Sequence, residues 1–152
     1  MSGLGLVPGR DTRLGYLLRV SRPRFWLYLA GPVVVGVAYA AQTRGELFAP
    51  IAVALFAYFL LPANVFLYGI NDVFDADVDV ENPKKEGREA RWQGDPLVSA
   101  TVVGSGLLGV ATFALTPRVS WPYLAGFFFL AAQYSAPPLR FKTIPFADSV
   151  SY

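Results

Sequence analysis

The sequence predicts an all-α polytopic membrane protein, with four transmembrane helices and a cytoplasmic helix-loop between the second and third. Three observations predict it. The 152 residues are 54% hydrophobic and only 16% charged, too apolar for an ordinary soluble domain or a disordered chain. The charges are gathered into a few clusters. Between them lie uncharged runs of 19, 25, 22 and 21 residues, where roughly 20 apolar residues suffice to cross the hydrocarbon core.

The chain opens on a basic arm, residues 1–24, with Arg10, Arg13, Arg19, Arg22 and Arg24. No apolar stretch with a cleavage site marks a removable leader. Spans follow near 25–43, 47–71, 97–116 and 119–136, and residues 143–152 read as the start of a fifth. Pro32, Pro50, Pro62 and Pro122 are tolerable in or beside spans where neighbours satisfy the freed carbonyls. Trp26, Tyr28, Trp121 and Tyr123 sit near span ends, as interfacial anchors do. The arm, the loop 72–96 and the tail after the fourth span hold eleven of the 13 Lys and Arg, against Arg44 and Arg118 in the short turns. That bias places the N terminus, the loop and the tail on the cytoplasmic side.

Composition also excludes chemistry. There is no His and no Cys, so histidine bases, cysteine nucleophiles and imidazole or thiolate metal ligands are ruled out. The net charge of +2, with its signs segregated, gives no reason to expect a nucleic-acid partner.

The chemistry-bearing stretch is NVFLYGINDVFDADVDVENPKKEGREARW, at the end of the second span. If the helix continues through it at about 100° per residue, Asn71, Asp72, Asp75 and Asp79 fall within one arc of about one hundred degrees. Asn64 and Tyr68 extend that stripe into the membrane, and Asp77 lies on the other side. Three carboxylates this close repel one another unless a cation sits between them. Oxygen-only ligands suit Mg²⁺, which keeps waters and completes its shell from substrate phosphates. A calcium loop starting at Asp75 fails, because Val80 stands where the sharp turn needs Gly.

A second polar cluster follows the fourth span, QYSAPPLRFKTIP. Pro137 and Pro138 stop the helix. Arg140 and Lys142 then lie on an extended segment, on the same side as the acidic stripe, with Tyr134 about one turn inside the membrane. Cations opposite a carboxylate–metal site suit a diphosphate. Arg22, in VSRPRFW, is a third candidate for that role.

These residues resemble the UbiA superfamily of intramembrane prenyltransferases. Asn71, Asp72, Asp75 and Asp79 match its first aspartate-rich motif, NDxxDxxxD, and YSAPPLRFK, Tyr134 to Lys142, resembles the segment after its fourth helix. The wording of both segments is most similar to the lycopene elongase-type carotenoid branch. The resemblance implies a partial UbiA-type helical bundle, with 25–142 as a prenyltransferase-like half-domain. It implies transfer of a prenyl group from an allylic prenyl diphosphate to an apolar lipid acceptor, here a carotenoid such as lycopene. Asp72, Asp75 and Asp79 would hold Mg²⁺ with Asn71 assisting. Arg140, Lys142 and Arg22 would bind the diphosphate, Tyr134 and Tyr68 would shelter an allylic cation, and Asn64 would line the pocket.

The family carries a second aspartate-rich motif that this sequence lacks, so the chain reads as an N-terminal half that needs a C-terminal partner half and is inactive alone. Two other readings stand beside this one: a membrane half that binds metal or conducts cations without chemistry, and a prenyltransferase for a quinone, chlorophyll or archaeal lipid acceptor.

Overall fold

The computed structural model describes residues 12–75 and 94–144. Every regular element among them is helical. The basic arm carries the first helix, α1 (Arg13–Val20). Thr12 caps it, its Oγ1 accepting from the Gly15 amide at 3.1 Å. The buried Ser21 ends it, donating to the Leu18 carbonyl at 2.7 Å and accepting from Trp26 Nε1 at 3.0 Å. Arg22 turns the chain in a left-handed conformation, φ 48°, into a 3-10 turn, Pro23–Phe25, and α2 (Trp26–Ala40).

A short α3 (Arg44–Leu47) follows, capped by Thr43, and then α4 (Pro50–Leu60) and α5 (Pro62–Phe74). Pro50 and Pro62 take the first turns of their helices, where a missing amide costs nothing. Leu61 is both the end of α4 and the start of α5. Next comes α6 (Pro96–Leu115), whose cap Asp95 accepts from the Leu97 amide at 2.8 Å and pairs with Arg13 Nε at 3.0 Å. That pair ties α1 to the start of α6. A 3-10 turn, Arg118–Ser120, leads to α7 (Trp121–Gln133), and another, Phe141–Thr143, follows it.

The hub is α5, which packs against α1, α2, α4, α6 and α7. Glycines let the helices approach closely. A Cβ on Gly69 would fall inside the Val102 side chain, and one on Gly109 would collide with Tyr58 and Phe128. Around these contacts Phe59, Phe66, Phe127 and Phe128 meet edge-on between α4, α5 and α7. Many large apolar side chains face outward instead, Leu27, Tyr28, Val103, Leu107 and Tyr123 among them.

Among the described residues two stretches are long and apolar enough to cross a membrane: Arg44–Phe74, 31 residues through α3, α4 and α5, and Pro96–Leu115. They correspond to the expected spans 47–71 and 97–116. The other two expected spans are shorter as helices, 15 residues in α2 and 13 in α7. Those lengths rise about 22 and 20 Å, against a hydrocarbon core of about 30 Å. The 3-10 turns take Phe25, and Val119 and Ser120, from the starts of these runs, and both helices also stop before the expected ends, α2 at Ala40 and α7 at Gln133. The acidic helix also differs from expectation. It ends at Phe74, with Asp75 at its C-cap. Asp79, Asp77 and most of the loop 72–96 lie outside the described residues, as do 1–11 and 145–152.

Candidate functional site

A cavity of about 550 Å³ opens between α2, α5 and α7. Its polar wall is built from Arg22, Tyr68, Asn71, Asp75, Tyr134 and Lys142. Leu29, Leu67, Phe127, Leu130 and Ala131 make the apolar wall. Residues far apart in sequence meet here for simple reasons. Tyr68, Asn71 and Asp75 recur at three- and four-residue spacing on one face of α5. Arg22 arrives from the turn before α2, and Tyr134 and Lys142 from the turn after α7.

Asp72 lies behind that wall. It is 2% exposed, and Arg22 Nη2 approaches its Oδ1 to 3.3 Å. The same guanidinium lies over the Tyr68 ring, 4.5 Å from its centre, so one arginine joins the buried carboxylate to the cavity face. Asp75 is ion-paired with Lys142, and its Oδ1 is 3.8 Å from Arg140 Nη2. Arg140 also donates to the Phe74 carbonyl at 3.2 Å, covering the C-terminal end of α5. Arg140 and Lys142 were expected on an extended segment. Instead Arg140 is left-handed, φ 42°, and Lys142 sits in a 3-10 turn. That turn folds the tail back over α7, its Lys142 amide donating to the Tyr134 carbonyl at 3.1 Å. Burial lowers the pKa of the Lys142 ammonium from its ordinary value.

Two expected site residues stand elsewhere. Asn64 is fully buried and does not line the cavity. Its Nδ2 donates to the carbonyls of Phe59 and Leu60, each at 3.0 Å. These carbonyls belong to the end of α4, where a helix leaves its last acceptors without amide partners. Asn64 is therefore a clamp at the α4–α5 break. Asp79 lies outside the described residues.

Two residues with no role in the sequence reading join the site. The buried Ser135 donates to Asn71 Oδ1 at 2.5 Å and fixes the amide. Tyr16 on α1 is buried, and its phenol is raised to about 12, first by burial and then by the nearby Asp72 charge. Ser135 had a visible signal, a polar residue beside Tyr134 where an apolar run closes. Tyr16 had none, since nothing in the sequence places the arm against α5.

Among the described residues no three acidic side chains gather closely enough to hold a metal by themselves. The donors facing the cavity are nevertheless of one kind. Asp75 and Asn71 offer oxygen, with no sulfur or imidazole nearby, which is the donor chemistry of a hard divalent cation. In kind the set fits Mg²⁺, and a ligand's own phosphate oxygens would complete it.

Comparison with known proteins gives a consistent result. The chain is 68% identical over 143 residues to the lycopene elongase/hydratase of Haloferax volcanii, covering 94% of this chain and 48% of that protein. It is 62% identical over 136 residues to the lycopene elongase/hydratase of Halobacterium salinarum, covering 90% and 50%. The lycopene elongase/hydratase of Corynebacterium glutamicum is 33% identical over 143 residues, covering 91% and 48%. The chain is of the lycopene elongase type. It spans about half the length of the curated relatives it matches. No family model and no solved structure matches it. The likeness of this lycopene elongase-type chain extends well beyond its four uncharged runs, so it is not a shared hydrophobicity alone.

Proposed function

We propose that the protein containing this chain is an integral-membrane, Mg²⁺-dependent prenyltransferase. It moves a prenyl group from an allylic prenyl diphosphate to a carotenoid acceptor such as lycopene. One observation carries the reading. A single cavity has carboxylate and amide oxygens, two cations in its wall with a third, Arg140, beside Asp75, and an apolar, aromatic face. Sequence relatives named lycopene elongase/hydratase supply the acceptor class.

The residues divide the work by charge. Asp75 and Asn71, with Asp72 beside them and Asp79 further along the motif, would hold the metal. When bound, the metal supplies positive charge for the diphosphate as its bond to the prenyl carbon breaks. Lys142, Arg140 and Arg22 take up leaving-group charge. Ser135 holds the Asn71 amide in one orientation. Tyr68 and Tyr134, both in the cavity wall, would be the aromatic partners of the developing allylic cation. Leu29, Leu67, Phe127 and Leu130 exclude water that would otherwise capture it. The site faces the cytoplasm in this reading, since Arg22, Arg140 and Lys142 belong to basic clusters that favour that side. Acceptor attack and cavity closure need the remainder of the longer protein.

The test uses membranes holding the full-length protein, lycopene and an isotopically labelled allylic diphosphate. Carotenoids heavier by whole prenyl units are expected, and EDTA should stop their formation. Asp72→Asn and Asp75→Asn should each lower turnover by at least about 100-fold, the scale on which loss of preorganised charge stabilisation acts. Full Mg²⁺-dependent turnover in both variants would remove the metal assignment.

A further inference from the structure

Both aspartates on the described part of α5 are already ion-paired within the protein. Asp72 pairs with Arg22, and Asp75 with Lys142, with Arg140 close by. The reading above gives these same groups to ligands of opposite charge. A carboxylate clamped by a guanidinium is poorly placed to bind a metal, and a guanidinium clamped by a carboxylate is poorly placed to bind a phosphate.

The backbone carries a second observation. Arg22 and Arg140 are the two non-glycine residues with positive φ among the described residues, 48° and 42°. A left-handed arginine costs of order 1–3 kcal/mol and persists where its surroundings over-determine it. Each begins a 3-10 turn, and each aims its guanidinium at the end of α5. The two turns hold the tail of α7 and the start of α2 against one helix end.

We propose, resting on the function given above, that these ion pairs are the resting state of the site and that diphosphate and divalent cation replace them jointly. The diphosphate takes Arg22, Arg140 and Lys142, which releases Asp72 and Asp75 to the metal. Metal alone strands the basic side chains beside an added positive charge. Diphosphate alone strands two carboxylates, one of them buried, beside added negative charge. A stranded buried charge is costly, and with both ligands none is stranded. Each ligand therefore tightens the other, by the same factor in either direction. The internal pairs keep the divalent cation off until an anionic lipid headgroup arrives.

The test measures binding, not turnover, on the full-length protein in lipid nanodiscs. Mn²⁺ alone serves as the metal probe, followed by electron paramagnetic resonance. Pyrophosphate in EDTA serves as the anion probe, followed by equilibrium dialysis. Lys142→Gln removes one competing cation at the cavity rim, and Arg22→Gln is the second variant if the first loses helix content by circular dichroism. Mn²⁺ should bind the variant about fivefold or more tightly than the wild type, the lower end of couplings of this kind. Pyrophosphate should bind it more weakly by a similar factor. If both probes bind the wild type and neither folded variant binds Mn²⁺ more tightly, the exchange is overturned while the proposed function stands. If the wild type binds neither probe saturably even when Mn²⁺ and pyrophosphate are supplied together, both fall together.

Discussion

Asp95 does two jobs with one carboxylate, and both depend on its charge. Its oxygens accept from the Leu97 amide and pair with Arg13, and these contacts lower its pKa, the backbone bond to Leu97 first. A carboxyl whose folded pKa is depressed contributes stability above its unfolded pKa and loses it as pH falls through the folded one. The start of α6 and its tie to α1 should therefore hold at neutral pH and loosen in acid, below about pH 4 where an ordinary Asp titrates. Hydrogen exchange at the Leu97 and Val98 amides checks this. A fall in protection factor, measured against the intrinsic rate at each pH, is expected in the wild type on acidification, and Asp95→Asn should flatten that response. At this scale the sequence was most informative where charge and spacing act alone. Arg22, Tyr68, Asn71, Asp75, Tyr134 and Lys142 surround one cavity; the sequence offered one helix face and two basic clusters, but not the turns that bring the clusters to it. The pairing of Arg22 with Asp72, rather than a phosphate role alone, depends on a left-handed turn that no motif spells out.

The elements were legible as apolar runs but not as lengths. An uncharged run counts residues and says nothing of where a 3-10 turn or an extended residue ends the α-helix, which is how α2 and α7 fall short of the spans expected at 25–43 and 119–136. Pro62 shows the same limit. In sequence it is a tolerated proline inside a span. In the structure the rod breaks at Leu61, φ −124°, ψ −62°, and restarts at Pro62 as a separate helix. Helical phase places Asn64 on the polar stripe, yet its side chain turns back to the carbonyls of Phe59 and Leu60. The break sets the direction of α5 and hence where Asn71, Asp72 and Asp75 emerge. Asn64→Leu keeps the branching of the side chain, though it is larger, and removes the donor, leaving two carbonyls in an apolar interior. The expected cost is about 1–3 kcal/mol, the penalty for an unmade buried hydrogen bond. Thermal unfolding in detergent micelles measures it.

Across the whole molecule, the small core and the apolar exterior point to the same source of stability. Few large side chains are fully buried, while Leu27, Val103, Leu107 and Phe129 face outward. On the membrane reading proposed above, the lipid outside is as apolar as leucine, so burial from water contributes little between helices and close packing must hold them. The glycines of α6 allow that claim to be tested within one helix. A Cβ on Gly109 would collide with Tyr58 and Phe128, whereas one on Gly104 meets nothing within 4 Å. Gly104→Ala should be neutral or gain about 0.5–1 kcal/mol from helix propensity. Gly109→Ala gains the same propensity but must move Tyr58, which donates to the Ser105 carbonyl at 3.3 Å, and a Phe128 ring packed on Phe66 and Phe113. Overpacking of this kind costs about 1–3 kcal/mol, so a net loss is expected despite the identical chemical change. Because Phe66 and Phe128 join α5 to α7, the displacement should reach the cavity between them. Weaker pyrophosphate binding in Gly109→Ala, with binding unchanged in Gly104→Ala, would tie the packing of the bundle to the geometry of the site. Equal stability of the two variants in detergent would show that helix contact at Gly109 does not hold this bundle together.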